Sequence, residues 1–175
     1  ESVTLLTNGQ GLIPMAPEEC RNLLVVSPDI RGLTQVEDGQ LLESPLAAAI
    51  RRFVPEARDF AFSQSPDAEQ TAEAVNLALS SDAVVVGFYN AHLYKEQGVL
   101  VRTLLDRDVP VVVVAMRNPY DIEQFPSAKT YIAEYGFREC TMQAVAELIF
   151  GVIKPRGRLP VAIPGIYAYG SGLTW

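Results

Sequence analysis

Two runs decide the reading: Ala83-Val84-Val85-Val86-Gly87-Phe88 and Val111-Val112-Val113-Val114-Ala115-Met116. Both are short, rich in β-branched residues and free of charge. A strand covered on both faces reads as such a continuous apolar run, whereas a half-exposed strand alternates. Strands covered on both faces belong to parallel sheets, and parallel neighbours need a crossover between them. The chain supplies one. After the loop Tyr89-Asn90-Ala91-His92, a helix is expected to run to about Asp106, burying Leu100, Val101, Leu104 and Leu105. The turn Arg117-Asn118-Pro119-Tyr120-Asp121 ends this βαβ unit.

Working outward, further units lie on both sides. Ser2 to Thr7 alternates like a short strand, and Asn8-Gly9 is a turn signal. Leu12-Ile13-Pro14-Met15 is apolar but carries a proline, so it reads as an extended docking segment rather than a central strand. Asn22 to Ser27 is an inner strand, followed by the loop Pro28 to Gly32. Ser44-Pro45 is an N-cap followed by proline at the first helical position, opening a helix to about Phe53. Arg58 to Phe62 reads as a strand with Phe60 and Phe62 on one face. Ser65-Pro66 repeats the cap signal, and Ala68, Ala72, Val75 and Leu79 form a stripe at helical spacing. Asp121 is expected to cap a short helical turn. Thr130 to Glu134 is a strand ending at Tyr135-Gly136, and Thr141 opens a helix to Phe150 with Met142, Val145 and Ile149 inward. The proline-rich tail from Pro155 to Val161 suits an edge strand or a surface segment. The class is therefore α/β, and residues 1–175 form a single domain. In such folds ligands bind where loops meet at the carboxyl ends of the strands. Those loops are Pro28–Gly32, Tyr89–His92, Arg117–Asp121 and Tyr135–Glu139.

Composition narrows the function. With 175 residues, 49% of them hydrophobic, the chain can bury about two-thirds of its unfolded surface. A net charge of −7 disfavours nucleic acid and anionic membranes as partners. No apolar stretch is long enough to span a bilayer, and no signal-peptide pattern is recognisable. Glu1 is not an initiator methionine, so the chain is expected to be a piece of a longer protein. Cys20 and Cys140 fit no zinc or dithiol pattern and read as free thiols. A single histidine leaves no histidine-rich metal site. No phosphate-cradling glycine loop follows a strand, and no serine sits in a nucleophile elbow, so no nucleotide cofactor and no serine triad is expected. The carboxylates at the loop edge are Asp29, Asp121 and Glu139, with Glu96 inside a helix. His92 has no obvious partner nearby in sequence, which favours a structural role. Arg117, directly after a buried strand, suits either an anion clamp or an ion pair across a domain interface.

Taken together, several segments resemble one family. Asn90-Ala91-His92-Leu93-Tyr94-Lys95-Glu96-Gln97, Arg117 to Asp121, Tyr135-Gly136, and Gly157-Arg158-Leu159-Pro160-Val161 followed by Ile163-Pro164-Gly165 occur in the order found in the C-terminal domain of family 3 glycoside hydrolases. Within it they are most similar to the bacterial β-N-acetylhexosaminidase branch. The opening from Ser2 to Pro14 resembles the segment that joins that domain to the one before it.

The resemblance implies a three-layer α/β sandwich with a mostly parallel, six-stranded, flavodoxin-like doubly wound sheet. It implies packing on an N-terminal (β/α)₈ barrel that carries the nucleophilic aspartate and, in this branch, a histidine–aspartate acid/base pair. In the β-glucosidase branch the loop after the central strand supplies the acid/base glutamate. Here that loop, Tyr89 to His92, has no carboxylate. The expectation is thus a non-catalytic accessory domain of a β-N-acetylhexosaminidase, with no cofactor, a carbohydrate substrate, and His92, Arg117, Asn118 and Asp121 on the edge facing barrel or substrate. Such a domain should show an apolar patch, along Leu12–Met15 and Ile163–Tyr169. The alternatives are a stand-alone small-ligand or protein-binding module, and an independent enzyme using Asp121 or His92.

Overall fold

A computed structural model of the protein describes residues 3–29, 44–136 and 138–175. Six strands and four α-helices lie among them: β1 Thr4–Asn8, β2 Leu23–Pro28, α1 Pro45–Arg51, β3 Arg58–Phe62, α2 Ala68–Leu79, β4 Ala83–Phe88, α3 Lys95–Leu105, β5 Val111–Ala115, β6 Thr130–Ala133 and α4 Glu139–Ile149. The strands form one sheet in the order β1-β6-β5-β4-β2-β3. All neighbours are parallel except β1, which runs antiparallel to β6 at one edge.

The central strands are buried on both faces. Leu23, Val25, Val85, Val112, Val114 and Ile132 point towards α1 and α4, and Leu24, Val26, Val84, Val86, Val113 and Tyr131 towards α2 and α3. Alternation of side chains along each strand thus feeds two separate cores, one on each side of the sheet. Gly87 is required where it stands, because a Cβ there would lie 2.8 Å from the Met116 sulfur and 3.1 Å from Leu46.

Topology sets the position of the site. From β2 the chain steps outward to β3, and from β4 it steps the other way to β5 and β6. The adjacent strands β2 and β4 therefore form the switch point of a doubly wound sheet, where connections leave to opposite faces and open a crevice at the carboxyl ends.

Several expectations are corrected. α2 turns Ala74, Val75 and Ala78 to the sheet, leaving Ala68, Ala72 and Leu79 of the expected stripe exposed. The small alanines let the helix lie close to the strands. Its cap is Asp67, which accepts from the Gln70 N–H at 2.8 Å, rather than Ser65. Ser44 does cap α1, accepting from the Ala47 N–H at 3.1 Å. Leu12–Met15 does not offer a docking face: Ile13 and Met15 are buried in this domain's own core, and the Met15 N–H donates to Ile149. In the second expected patch, Ile163 is buried while Ile166 and Tyr169 are exposed. The tail forms no edge strand. It folds back on itself through Leu159 and Ser171, and Leu173 N–H donates to the Leu5 carbonyl at 2.8 Å, sealing β1. α4 begins at Glu139, so Thr141 lies inside it and donates to the Arg138 carbonyl.

Candidate functional site

The loop after β4 is shaped by Asn90, whose φ of 52° places it in the left-handed region. Asparagine tolerates that conformation better than other residues with a Cβ. Its carbonyl accepts from the N–H groups of Leu93 and Tyr94 at 2.9 and 3.0 Å. The tight turn leaves the N–H groups of Ala91 and His92 pointing at the next loop. There, Asp121 receives them: Oδ2 from Ala91 at 3.0 Å and Oδ1 from His92 at 3.1 Å. Oδ1 also lies 2.7 Å from the His92 ring nitrogen Nδ1.

Asp121 is buried, with 1% of its surface exposed, yet fully partnered by these contacts. Buried charge is tolerated only with such partners. His92 is its complement, with 42% of its side chain open to solvent. The expectation that His92 lacks a partner is therefore corrected: the partner is 29 residues further on. The expected cap role of Asp121 is corrected too. Asn118 caps the 3₁₀ turn Pro119–Gln124 by accepting from the Tyr120 N–H at 3.1 Å, and Asp121 instead holds the neighbouring loop. The Asn118 amide nitrogen lies 3.3 Å from His92 Nδ1.

Arg117 does not join this pair. It donates to the Tyr89 hydroxyl at 2.8 Å and lies over that ring, 5.5 Å from the centroid. Tyr89 in turn stacks near Tyr94, with centroids 6.0 Å apart. Beneath them Gln97, fully buried, accepts from the Tyr89 N–H at 2.9 Å and donates to the Gln64 carbonyl at 2.8 Å. Gln97 ties the loops after β3 and β4 together. Its sequence signal was a lone amide on the apolar face of α3.

Of the other edge carboxylates, Glu139 stands apart: its side chain is 84% exposed and pairs with Arg52 at 3.5 Å, on the outside of α1 and α4. Glu96 lies in the first turn of α3. The loop Pro28–Gly32 is described only as far as Asp29, whose N–H donates to Phe62 at 2.7 Å; the remainder lies outside the described residues. A carboxylate not foreseen at this edge is Glu134, directly after β6. It is 1% exposed, its Oε1 accepts from the Gly136 N–H at 3.1 Å, and its Oε2 has no hydrogen-bond partner among the described residues. Burial pushes its carboxyl up to about 8, a rise that the Thr141 hydroxyl and the Gly136 N–H hold back. Gly136 is the firmer of the two, since the Thr141 hydrogen is turned to the Arg138 carbonyl at 2.8 Å. Burial thus favours the neutral form of the Glu134 carboxyl.

Among the described residues no group of three His, Cys, Asp or Glu side chains is placed to hold a metal ion, and no helix is long and apolar enough to cross a membrane. Cys20 is buried and Cys140 exposed, both free.

Residues 3–167 match the family model described as the glycosyl hydrolase family 3 C-terminal domain. The chain belongs to that family. It is 25% identical, over 94% of its length, to the lysosomal beta glucosidase of Dictyostelium discoideum, of which it covers 24%. Among solved structures, it is similar to a glycoside hydrolase family 3 β-N-acetylglucosaminidase from Paenibacillus sp. str. FPU-7, with 28% identity and a TM-score of 0.75, covering 87% of this chain and 28% of that one. A β-glucosidase from Listeria innocua shares the fold at a TM-score of 0.74 and 16% identity, with 93% of this chain and 25% of that one covered. The family 3 chain thus spans about a quarter of the length of these relatives.

Proposed function

We propose that this domain is the non-catalytic C-terminal part of a retaining β-N-acetylhexosaminidase. In this reading it packs on an N-terminal barrel and shapes the cleft in which terminal N-acetylglucosamine is removed from glycans or cell-wall fragments. The observation that carries the reading is the loop after β4. Its residues from Tyr89 to Tyr94 include no carboxylate, and the acid next to them, Asp121, is buried and committed to three hydrogen bonds. An acid/base residue must reach the proton it transfers, and Asp121 is not free to do so. The similarity to the Paenibacillus β-N-acetylglucosaminidase supports the same branch. In this reading the edge bearing His92, Arg117 and Asn118 faces the cleft: it is built from the carboxyl-end loops of β4, one of the two switch-point strands, and of its neighbour β5.

The similarity to the Dictyostelium β-glucosidase favours a second reading, in which the whole protein acts on β-glucosides. Chromogenic N-acetyl-β-glucosaminide and β-glucoside, each offered to the full polypeptide and to the 175-residue chain alone, separate the two. Hydrolysis of the glucosaminide by the full polypeptide alone is the expected result. Turnover by the isolated chain overturns the accessory role, and preference for the glucoside overturns the branch.

A further inference from the structure

We infer that His92 is a sugar-contacting residue: its ring nitrogen Nε2, held bare by Asp121, accepts a hydrogen bond from a glycan hydroxyl. The inference rests on the glycosidase reading above and names what one residue of that site does.

One proton fixes the His92 ring. Nδ1 and Asp121 Oδ1 are 2.7 Å apart, a distance at which a hydrogen must lie between them. The carboxylate also accepts two backbone N–H groups, so it is the acceptor and Nδ1 the donor. The Asn118 amide, at 3.3 Å, is a side contact and not a competing donor. In the neutral ring the proton on Nδ1 leaves Nε2 as a lone pair. The same carboxylate holds the His92 main chain through its N–H, so ring and backbone are fixed by one buried group. A fixed acceptor on a half-open side chain, which water otherwise satisfies, is available to a donor from outside.

The surroundings favour a sugar hydroxyl as that donor. Asn118 sits beside the ring, Tyr120 next to it is 41% exposed, and the Arg117 guanidinium lies over Tyr89 in the same pair of loops. Planar amide, aromatic and guanidinium groups with few free charges suit a neutral polyhydroxylated ligand, which offers both apolar faces and hydroxyl donors. The same lone pair would also accept an N–H or O–H from a neighbouring domain, and the experiment separates the two sources.

His92 is the only histidine in the chain, so its ring signals need no assignment. Nitrogen NMR of the 175-residue chain, at a pH where the ring is neutral, should show a protonated Nδ1 and a bare Nε2. Asp121→Asn should shift that balance towards the other tautomer. The opposite tautomer in the unaltered chain overturns the inference whatever the enzyme hydrolyses. In the full polypeptide, His92→Ala should raise KM for the chromogenic N-acetyl-β-glucosaminide about tenfold while changing kcat less. His92→Gln, whose amide oxygen restores an acceptor, should recover part of that loss. Unchanged KM with a lowered melting temperature would assign the donor to a neighbouring domain and overturn the inference while leaving the glycosidase reading intact. Absence of hydrolysis by the unaltered polypeptide would remove both.

Discussion

Replacing Glu134 by glutamine should make the protein more stable at neutral pH and flatten its dependence on pH. Glu134 is buried directly after β6 with one oxygen unpartnered among the described residues, and its carboxyl is pushed up to about 8 from the ordinary 4.5. The folded state therefore holds a proton that the unfolded state releases between those values. Stability contributed by this group is fully present below pH 4.5, falls as pH rises, and is lost once pH passes through 8. The loss by pH 7 amounts to roughly 3 kcal/mol, since most of the gap between unfolded and folded values has then been crossed and each unit is worth about 1.4 kcal/mol. Glutamine is neutral throughout and can still accept from Gly136. Urea unfolding of both proteins at half-unit steps from pH 4.5 to 9 measures the difference directly, and other titrating groups cancel in it. The wild type should lose stability relative to Glu134→Gln across the window, by about 1–3 kcal/mol at pH 7 once a compact denatured state is considered. A difference that stays constant with pH would show that Glu134 is ionised in the folded protein and would refute the burial argument.

Other substitutions test separate contacts. Gly157→Ala places a Cβ against the Val3 carbonyl and 2.8 Å from the Thr4 hydroxyl, where two backbones meet; it should cost about 2–3 kcal/mol in thermal or urea unfolding because neither backbone can yield. Gln97→Leu removes the amide that accepts from the buried Tyr89 N–H and donates to the Gln64 carbonyl. It should cost about 2–4 kcal/mol, with faster amide exchange concentrated in the loop after β4. Tyr131→Phe removes a hydroxyl that is fully buried without a partner among the described residues, beside the Phe88 ring. It should be neutral or stabilising by up to about 1 kcal/mol, and a clear destabilisation would point to a partner for that hydroxyl.

The sheet was legible because its central strands are buried twice over. A run such as Val111 to Val114 has no polar residue to suggest a wet face, and covered parallel strands are the simplest setting for it. Ser44-Pro45 marked α1 because cap and proline are local chemistry, settled within four residues. Some misses were local, the α2 cap lying two residues after Ser65 and the start of α4 two before Thr141; the larger ones depend on a distant neighbour. α2 turns Ala74, Val75 and Ala78 inward rather than the whole stripe of Ala68, Ala72, Val75 and Leu79, and the strands it meets are distant in sequence. The burial of Leu12–Met15 depends on α4, more than a hundred residues later, which supplies the carbonyl for Met15.

The candidate site shows the same limit and a way around part of it. His92 was read as unpartnered and Asp121 as a local cap because each was judged against its own segment. Yet β4 and β5 are parallel neighbours with Gly87 opposite Val114 and Phe88 opposite Ala115. Their carboxyl-end loops must therefore lie side by side, and any donor in one is a candidate partner for any acceptor in the other. Pairing the loops Tyr89–His92 and Arg117–Asp121 on that ground alone brings His92, Asn118 and Asp121 together before any coordinate is known. It also brings Arg117 to Tyr89, which lie two and one residues beyond the last paired positions, Ala115 and Phe88. Glu134 could not be reached this way. Its raised carboxyl follows from burial, which leaves no mark in the local sequence.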